Sequence, residues 1–209
     1  MQFITARRVT ALILVALGTV LGACDKKGEG TQMMLSPAQS SFKNTDVTGL
    51  DYGKDFAMPD HTGKVRTLAD FKGKAVVVFF GYTQCPDVCP TTMTEMASVM
   101  QQLGPLSDKV QVLFVTVDPE RDTPEMLSKY VPSFDPRFLG LVGDKAATEK
   151  VAKEFRVFYQ KVPGKEPGSY TMDHTAGSYI FDPQGRLRLF VRHGQGAEPI
   201  AHDLKLLLS

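Results

Sequence analysis

The sequence predicts an α/β fold, and three observations carry that prediction. Residues 74–80 read KAVVVFF, and residues 110–117 form a second β-branched run. Continuous apolar runs of this length suit strands buried on both faces. Between them, Met93, Met96, Met100 and Leu103 recur at spacings of three, four and three, which marks one face of a helix over 91–103. Two further short strand-like runs and a closing amphipathic segment then complete a βαβ–ββα plan.

In chain order, residues 56–60 and 64–68 flank His61-Thr62-Gly63, a turn between two short strands. Gly104-Pro105 stops the helix that follows the first buried strand. Asp122-Thr123-Pro124-Glu125 reads as a helix start, with Asp122 or Thr123 as the cap, an early proline and an acid in the first turn. Residues 138–142 form another short strand. Asp144 caps a helix to about Phe155, with Ala147, Val151 and Phe155 on one stripe. Residues 178–182 and 186–191 flank Pro183-Gln184-Gly185, a hairpin signal. A last helix over 198–208 buries Ile200, Leu204 and Leu207 or Leu208.

The length of 209 residues suits one compact domain plus extras. Lys+Arg of 24 against Asp+Glu of 23 leaves no basic excess to neutralise phosphates, so no nucleic-acid partner is expected. Three cysteines exclude a disulfide-dense scaffold.

Arg7 and Arg8 precede an apolar run that ends in Leu21-Gly22-Ala23-Cys24. A basic segment, a short apolar run and small residues before a cut describe an export signal over 1–23. The Leu-Gly-Ala-Cys ending resembles a bacterial lipobox, with Cys24 as the lipidated new N-terminus. Residues 24–45 are polar, Gly- and Ser-rich and aperiodic. They read as a lipidated N-terminus and tether, with a root-mean-square span of roughly 25 Å. The domain is then 46–209, held at the cytoplasmic membrane by its lipid and facing the periplasm or cell exterior.

The chemistry sits in residues 81–90, GYTQCPDVCP. Cys85 and Cys89 follow a buried strand and precede a helix. At i, i+4 on one helical turn both sulfurs share a side, and the free amides of a helix N-terminus favour thiolate. The helix begins near Asp87 or near Thr92; both starts fit. A structural disulfide is the plainer reading for an exported chain. Yet a loop of about five residues contributes only roughly 2 kcal/mol in the chain-entropy model. A redox or ligand pair at the end of a central strand fits the placement better. His174, taken alone, reads as a surface or packed histidine. His61, His193 and His202 read as structural or surface, and Met93, Met96 and Met100 as core rather than a thioether relay.

Residues 81–90 resemble the Sco/SenC family of copper chaperones for cytochrome c oxidase. Val117-Asp118-Pro119-Glu120-Arg121-Asp122-Thr123-Pro124 and Met172-Asp173-His174-Thr175 resemble it too, in the same order over about 47–208. The resemblance implies a thioredoxin-like fold, a central mixed sheet flanked by helices. It also implies one copper ion held by Cys85, Cys89 and His174, with Asp118 and Asp173 as candidates for shaping the site. The implied partners are the copper-centre subunit of the oxidase, another copper carrier, a thiol-reducing thioredoxin-like protein and the membrane, through the lipid. Two thiolates and an imidazole form a soft donor set that suits copper, though zinc takes the same ligands. The competing function is a thiol–disulfide oxidoreductase acting on oxidase subunits or other exported proteins. Against it stand the CxxxC spacing, where thioredoxin-type reductants use CxxC, and DHTAG where they place a cis-proline.

Overall fold

The computed structural model describes residues 41–209. The signal segment 1–23, Cys24 and most of the tether lie outside the described residues. In chain order the elements are β1 (Thr45–Asp46), β2 (Met58–Pro59), β3 (Val65–Arg66), β4 (Ala75–Gly81), α1 (Val88–Leu103), β5 (Val110–Thr116) and α2 (Pro124–Tyr130). They continue with β6 (Leu139–Leu141), α3 (Lys145–Glu154), β7 (Tyr159–Pro163), β8 (Tyr170–His174), β9 (Gly177–Phe181), β10 (Leu187–Arg192) and α4 (Ala197–Leu208).

Six strands form a mixed sheet in the order β1-β10-β9-β4-β5-β6. β4, β5 and β6 run parallel, and β9 joins β4 antiparallel. Every residue of β4 and β5 is buried, as their β-branched and aromatic runs predict, and in β5 this includes the polar Gln111 and Thr116. The pleat sends Phe79 and Phe80 to opposite faces. Phe80 meets Phe155 at 5.3 Å between ring centroids, and Phe79 meets Phe114 at 6.0 Å. On α1, Met93, Met96 and Met100 are all buried core residues, and α4 packs on α1 and β4. This is the thioredoxin-like arrangement that the resemblance implies.

The structure settles one choice that the sequence left open and departs from the sequence reading in two places. The helix of the cysteine motif starts at Val88, with Asp87 at its N-cap position, so Thr92 is already inside it. The strands expected at 56–60 and 64–68 shrink to the two-residue pair β2–β3, because Thr67 and Asp70 cap a 3-10 turn at Leu68–Phe71. Residues 159–174 were not read as strands, yet β7 and β8 form an antiparallel ribbon of their own.

Packing also reaches back before residue 46. The fully buried carboxylate of Asp203 on α4 accepts from the backbone amides of Lys43 and Asn44, at 2.8 Å each, and from Asn44 Nδ2 at 2.9 Å. Residues 43–45, placed in the tether by composition, are therefore fastened to the domain.

The turn between β2 and β3 is built on Asp60, whose carboxylate is fully buried. It accepts from Thr62 N and Oγ1, Lys64 N and Arg66 Nε, at 2.5 to 3.1 Å. Burial acts to raise its pKa, and these hydrogen bonds overcome it, bringing the group down to about 2. A depressed folded-state pKa gives stability that is complete above the unfolded value and is lost as pH falls toward the folded one. Asp60→Ala is expected to cost about 2–3 kcal/mol in urea unfolding at neutral pH. The gap between variant and wild type should narrow as pH drops from about 4 to 2; a gap independent of pH contradicts this account.

Candidate metal centre

β4 ends at Gly81, and the chain turns through residues 82–87 before α1 begins. Cys85 lies in that turn, half-buried, and Cys89 in the first turn of the helix, fully buried. The two are therefore not on one helical turn, but the amide of Cys89 points at Sγ of Cys85, 3.5 Å away. Both cysteines are free thiols.

Gly81 makes room for the second sulfur. A Cβ at this position would stand 2.9 Å from Sγ of Cys89 and equally close to the rings of Phe79 and Phe114. Such distances force a neighbour to move. Behind the turn, the buried carboxylate of Asp122 accepts from Thr83 N at 3.1 Å, Thr83 Oγ1 at 2.6 Å and Thr116 Oγ1 at 2.6 Å. Asp122 was expected as a helix cap. Thr123 does that work, its Oγ1 accepting from Met126 N, while Asp122 ties the cysteine loop to the end of β5.

His174 is the last residue of β8 and arrives from the opposite side. Its ring stands edge-on to Phe79 and Tyr82, at 6.2 and 6.0 Å between centroids. Nδ1 lies 3.1 Å from the Thr175 carbonyl. A carbonyl only accepts, so Nδ1 carries the proton and Nε2 keeps its lone pair. Nε2 is 3.6 Å from Sγ of Cys89. The three ligand atoms of Cys85, Cys89 and His174 all lie within 4.8 Å of one another. An ion at about 2.3 Å from sulfur and about 2.0 Å from nitrogen needs its donors roughly 3.5–4 Å apart, so the group fits one ion after small adjustments. An open cleft of about 350 Å³ beside Tyr82, Cys85, Pro86, Asp87 and His174 gives access from solvent.

Burial pushes the Cys89 thiol well above its ordinary range, against the nearby Tyr82 amide. The helix terminus was expected to lower the thiol pKa; desolvation of the fully enclosed sulfur is the larger effect. Burial also lowers the His174 imidazole, opposed by the Thr175 carbonyl and by Asp173. Both shifts favour uncharged side chains in a site without an ion.

The other candidates fall elsewhere. Asp118 is buried, but its carboxylate takes the Arg121 guanidinium and the Tyr170 hydroxyl rather than a ligand. Asp173 is exposed, on the opposite face of β8 from His174, and the Thr175 carbonyl orients the ring instead. His61 accepts from the Gly140 amide, His193 sits 3.2 Å from Thr92 Oγ1, and His202 pairs with Asp203. Thr175 and Gly81 act through a carbonyl and a missing side chain, which leave no residue-type signal. Asp122 carried the signal of a cap.

A mixed thioredoxin-like sheet with a two-cysteine, one-histidine centre at the end of a central strand defines a class of metal-site domain. A family model described as SCO1/SenC matches residues 44–209, and the chain belongs to that family. A mitochondrial SCO2 homolog from Bos taurus is 39% identical over 153 residues, 72% of this chain and 58% of that protein. The chain thus spans rather more than half the length of that curated relative. Bradyrhizobium japonicum ScoI, solved with copper bound, is 46% identical with a TM-score of 0.69, covering 75% of this chain and 99% of that one. A SCO1/SenC family lipoprotein from Bacillus anthracis is 26% identical with a TM-score of 0.65, covering 77% of this chain and 97% of that one.

Gly81→Ala is expected to destabilise the protein by about 1–3 kcal/mol through overpacking. It should also raise the reactivity of Cys89 toward a thiol reagent, because the displaced sulfur loses its enclosure. Urea unfolding and timed thiol labelling check both; an unchanged labelling rate contradicts the packing described.

Proposed function

We propose that this protein is a membrane-anchored, extracytoplasmic copper chaperone that loads, or helps mature, the binuclear copper centre of a respiratory cytochrome c oxidase. One observation carries the reading: two thiols and an imidazole converge within 4.8 Å at the mouth of an open cleft. Soft sulfur donors with one nitrogen suit copper. The copper-bound ScoI of Bradyrhizobium japonicum supports copper as the cargo, and the family's part in oxidase assembly supports the destination. The lipobox-like ending at Cys24 and the lipoprotein relative from Bacillus anthracis support the anchor. No helix among the described residues is long and apolar enough to cross a membrane.

Copper is cargo here, and the chain's residues hold and release it. Loading displaces one proton from each thiol, and the neutral imidazole adds its Nε2 lone pair. Two thiolates and Cu(I) carry a net charge of −1. Three donors leave a coordination position open toward the cleft, where an acceptor's ligand enters before a site ligand leaves. Transfer is then a stepwise exchange with no bare ion. Oxidation of Cys85 and Cys89 to a disulfide removes both thiolates and two electrons, so loading needs a dithiol reductant in the same compartment. Another copper carrier supplies the ion.

The thiol-oxidoreductase reading draws on Cys85, the half-exposed sulfur of the pair. Titration separates the two. The reduced protein is expected to retain about one copper, and His174→Ala to weaken retention by more than about 100-fold, since even an outer-sphere partner is worth 10- to 100-fold. Equal disulfide reduction by wild type and His174→Ala, with no copper retained by either, establishes the oxidoreductase instead.

A further inference from the structure

The ribbon β7–β8 is not hydrogen-bonded into the six-stranded sheet, yet it carries His174. Its His174 end is joined to β9 by only Thr175 and Ala176, and side chains set how the rest of the ribbon seats against the cysteine loop. Besides Tyr82, whose ring meets His174, one further side chain reaches both. The guanidinium of Arg121, which follows β5, donates through Nη1 to the Tyr170 carbonyl on β8 at 2.9 Å and to Gln84 Oε1, next to Cys85, at 3.1 Å. Its Nε is ion-paired with the buried Asp118. Its plane lies over the Tyr170 ring, 3.6 Å from the centroid, and 5.6 Å from the centroid of Tyr82. Tyr170 completes the unit by donating its hydroxyl to Asp118 at 2.9 Å.

Tyr170 and His174 are four apart on one strand and share a face. Whatever fixes the first fixes the approach of the second. Lys161 also lies over the Tyr170 ring and pairs with Glu120, but both groups are well exposed and such pairs contribute little. Arg121 is only 19% exposed and Asp118 1%, so their contacts are far less screened. Lysine cannot replace this arginine, since a point charge offers neither a planar fork nor a stacking face.

We propose that Arg121 is a positioning residue for the metal centre: through Tyr170, Asp118 and Gln84 it clamps the β7–β8 ribbon against the cysteine loop and so holds His174 Nε2 at ligand distance from the two sulfurs. This deepens the copper reading of the same site and rests on it. The cysteines supply the sulfur ligands without Arg121, whereas the nitrogen ligand depends on it.

Two measurements on the full reduced chain test this. The first, without metal, is hydrogen exchange of wild type, Arg121→Ala, Arg121→Lys and Tyr170→Phe. Amides of residues 159–174 are expected to exchange at least tenfold faster in both arginine variants and less so in Tyr170→Phe, which keeps the stacked ring. Those of β4 and β5 stay as in wild type. The second is copper loading, with the nitrogen hyperfine signal of the Cu(II) form as readout. Arg121→Ala and Arg121→Lys are expected to bind at least tenfold more weakly, with that signal diminished and the thiolate-to-copper absorption retained. Unchanged exchange in residues 159–174 overturns the clamp whatever the metal does. A loosened ribbon with wild-type affinity and nitrogen signal overturns the positioning role. Should Arg121→Ala fail to fold, Arg121→Lys and Tyr170→Phe decide by the same readouts. If His174→Ala itself leaves copper binding intact, the copper reading falls, while hydrogen exchange still judges the clamp.

Discussion

The site depends on one meeting: an imidazole on a ribbon outside the main sheet must stand 3.6 Å from a sulfur buried at the start of a helix. The two arrive from parts of the chain 85 residues apart. Gly81 leaves the space for the sulfur, Phe79 and Tyr82 flank the ring, and the Thr175 carbonyl fixes its tautomer. Asp122 braces the cysteine loop from behind through Thr83 and Thr116. Each contact serves to bring sulfur and nitrogen lone pairs to a common point.

Burial gives that point its electrostatic character. It raises the Cys89 thiol and lowers the His174 imidazole, so both are neutral in a site without an ion. A lone thiolate there would be poorly solvated. On the proposed reading, a monovalent soft cation would supply the missing charge as the protons leave, coupling metal binding to proton release. The same burial makes Cys89 a weak nucleophile. Cys85, half-buried and lining the cleft, is the more accessible sulfur. An enclosed sulfur, an accessible sulfur and a nitrogen on a neighbouring ribbon fit the proposed role of holding an ion and passing it on.

The sheet was legible because its central strands have only one way to satisfy their sequence. Two β-branched and aromatic runs between turn signals, one of them interrupted only by Gln111, suit burial on both faces, and both became buried strands. The candidate sulfur ligands were legible as the domain's lone cysteine pair. His174 was legible only through the Asp-His-Thr resemblance, since nothing in its spacing separates a ligand from a packed histidine. The ribbon itself escaped: Tyr159–Pro163 has three exposed and two half-buried residues, with no clean alternation. The helix start was undecided because Pro86 and Pro90 fit either register. Asp122 and Thr123 are adjacent and both suited to capping, so composition does not reveal which one the fold buries. Residues 43–45 looked like tether because their partner, Asp203, lies at the far end of the chain.

The central claim is that nitrogen from the ribbon completes a centre founded on two sulfurs. X-ray absorption at the copper edge, on reduced chain loaded with one equivalent of Cu(I), tests it most directly. A shell of two sulfurs and one nitrogen, with the nitrogen lost in His174→Ala, is the result this account predicts. Indistinguishable sulfur-only spectra for the two proteins contradict it.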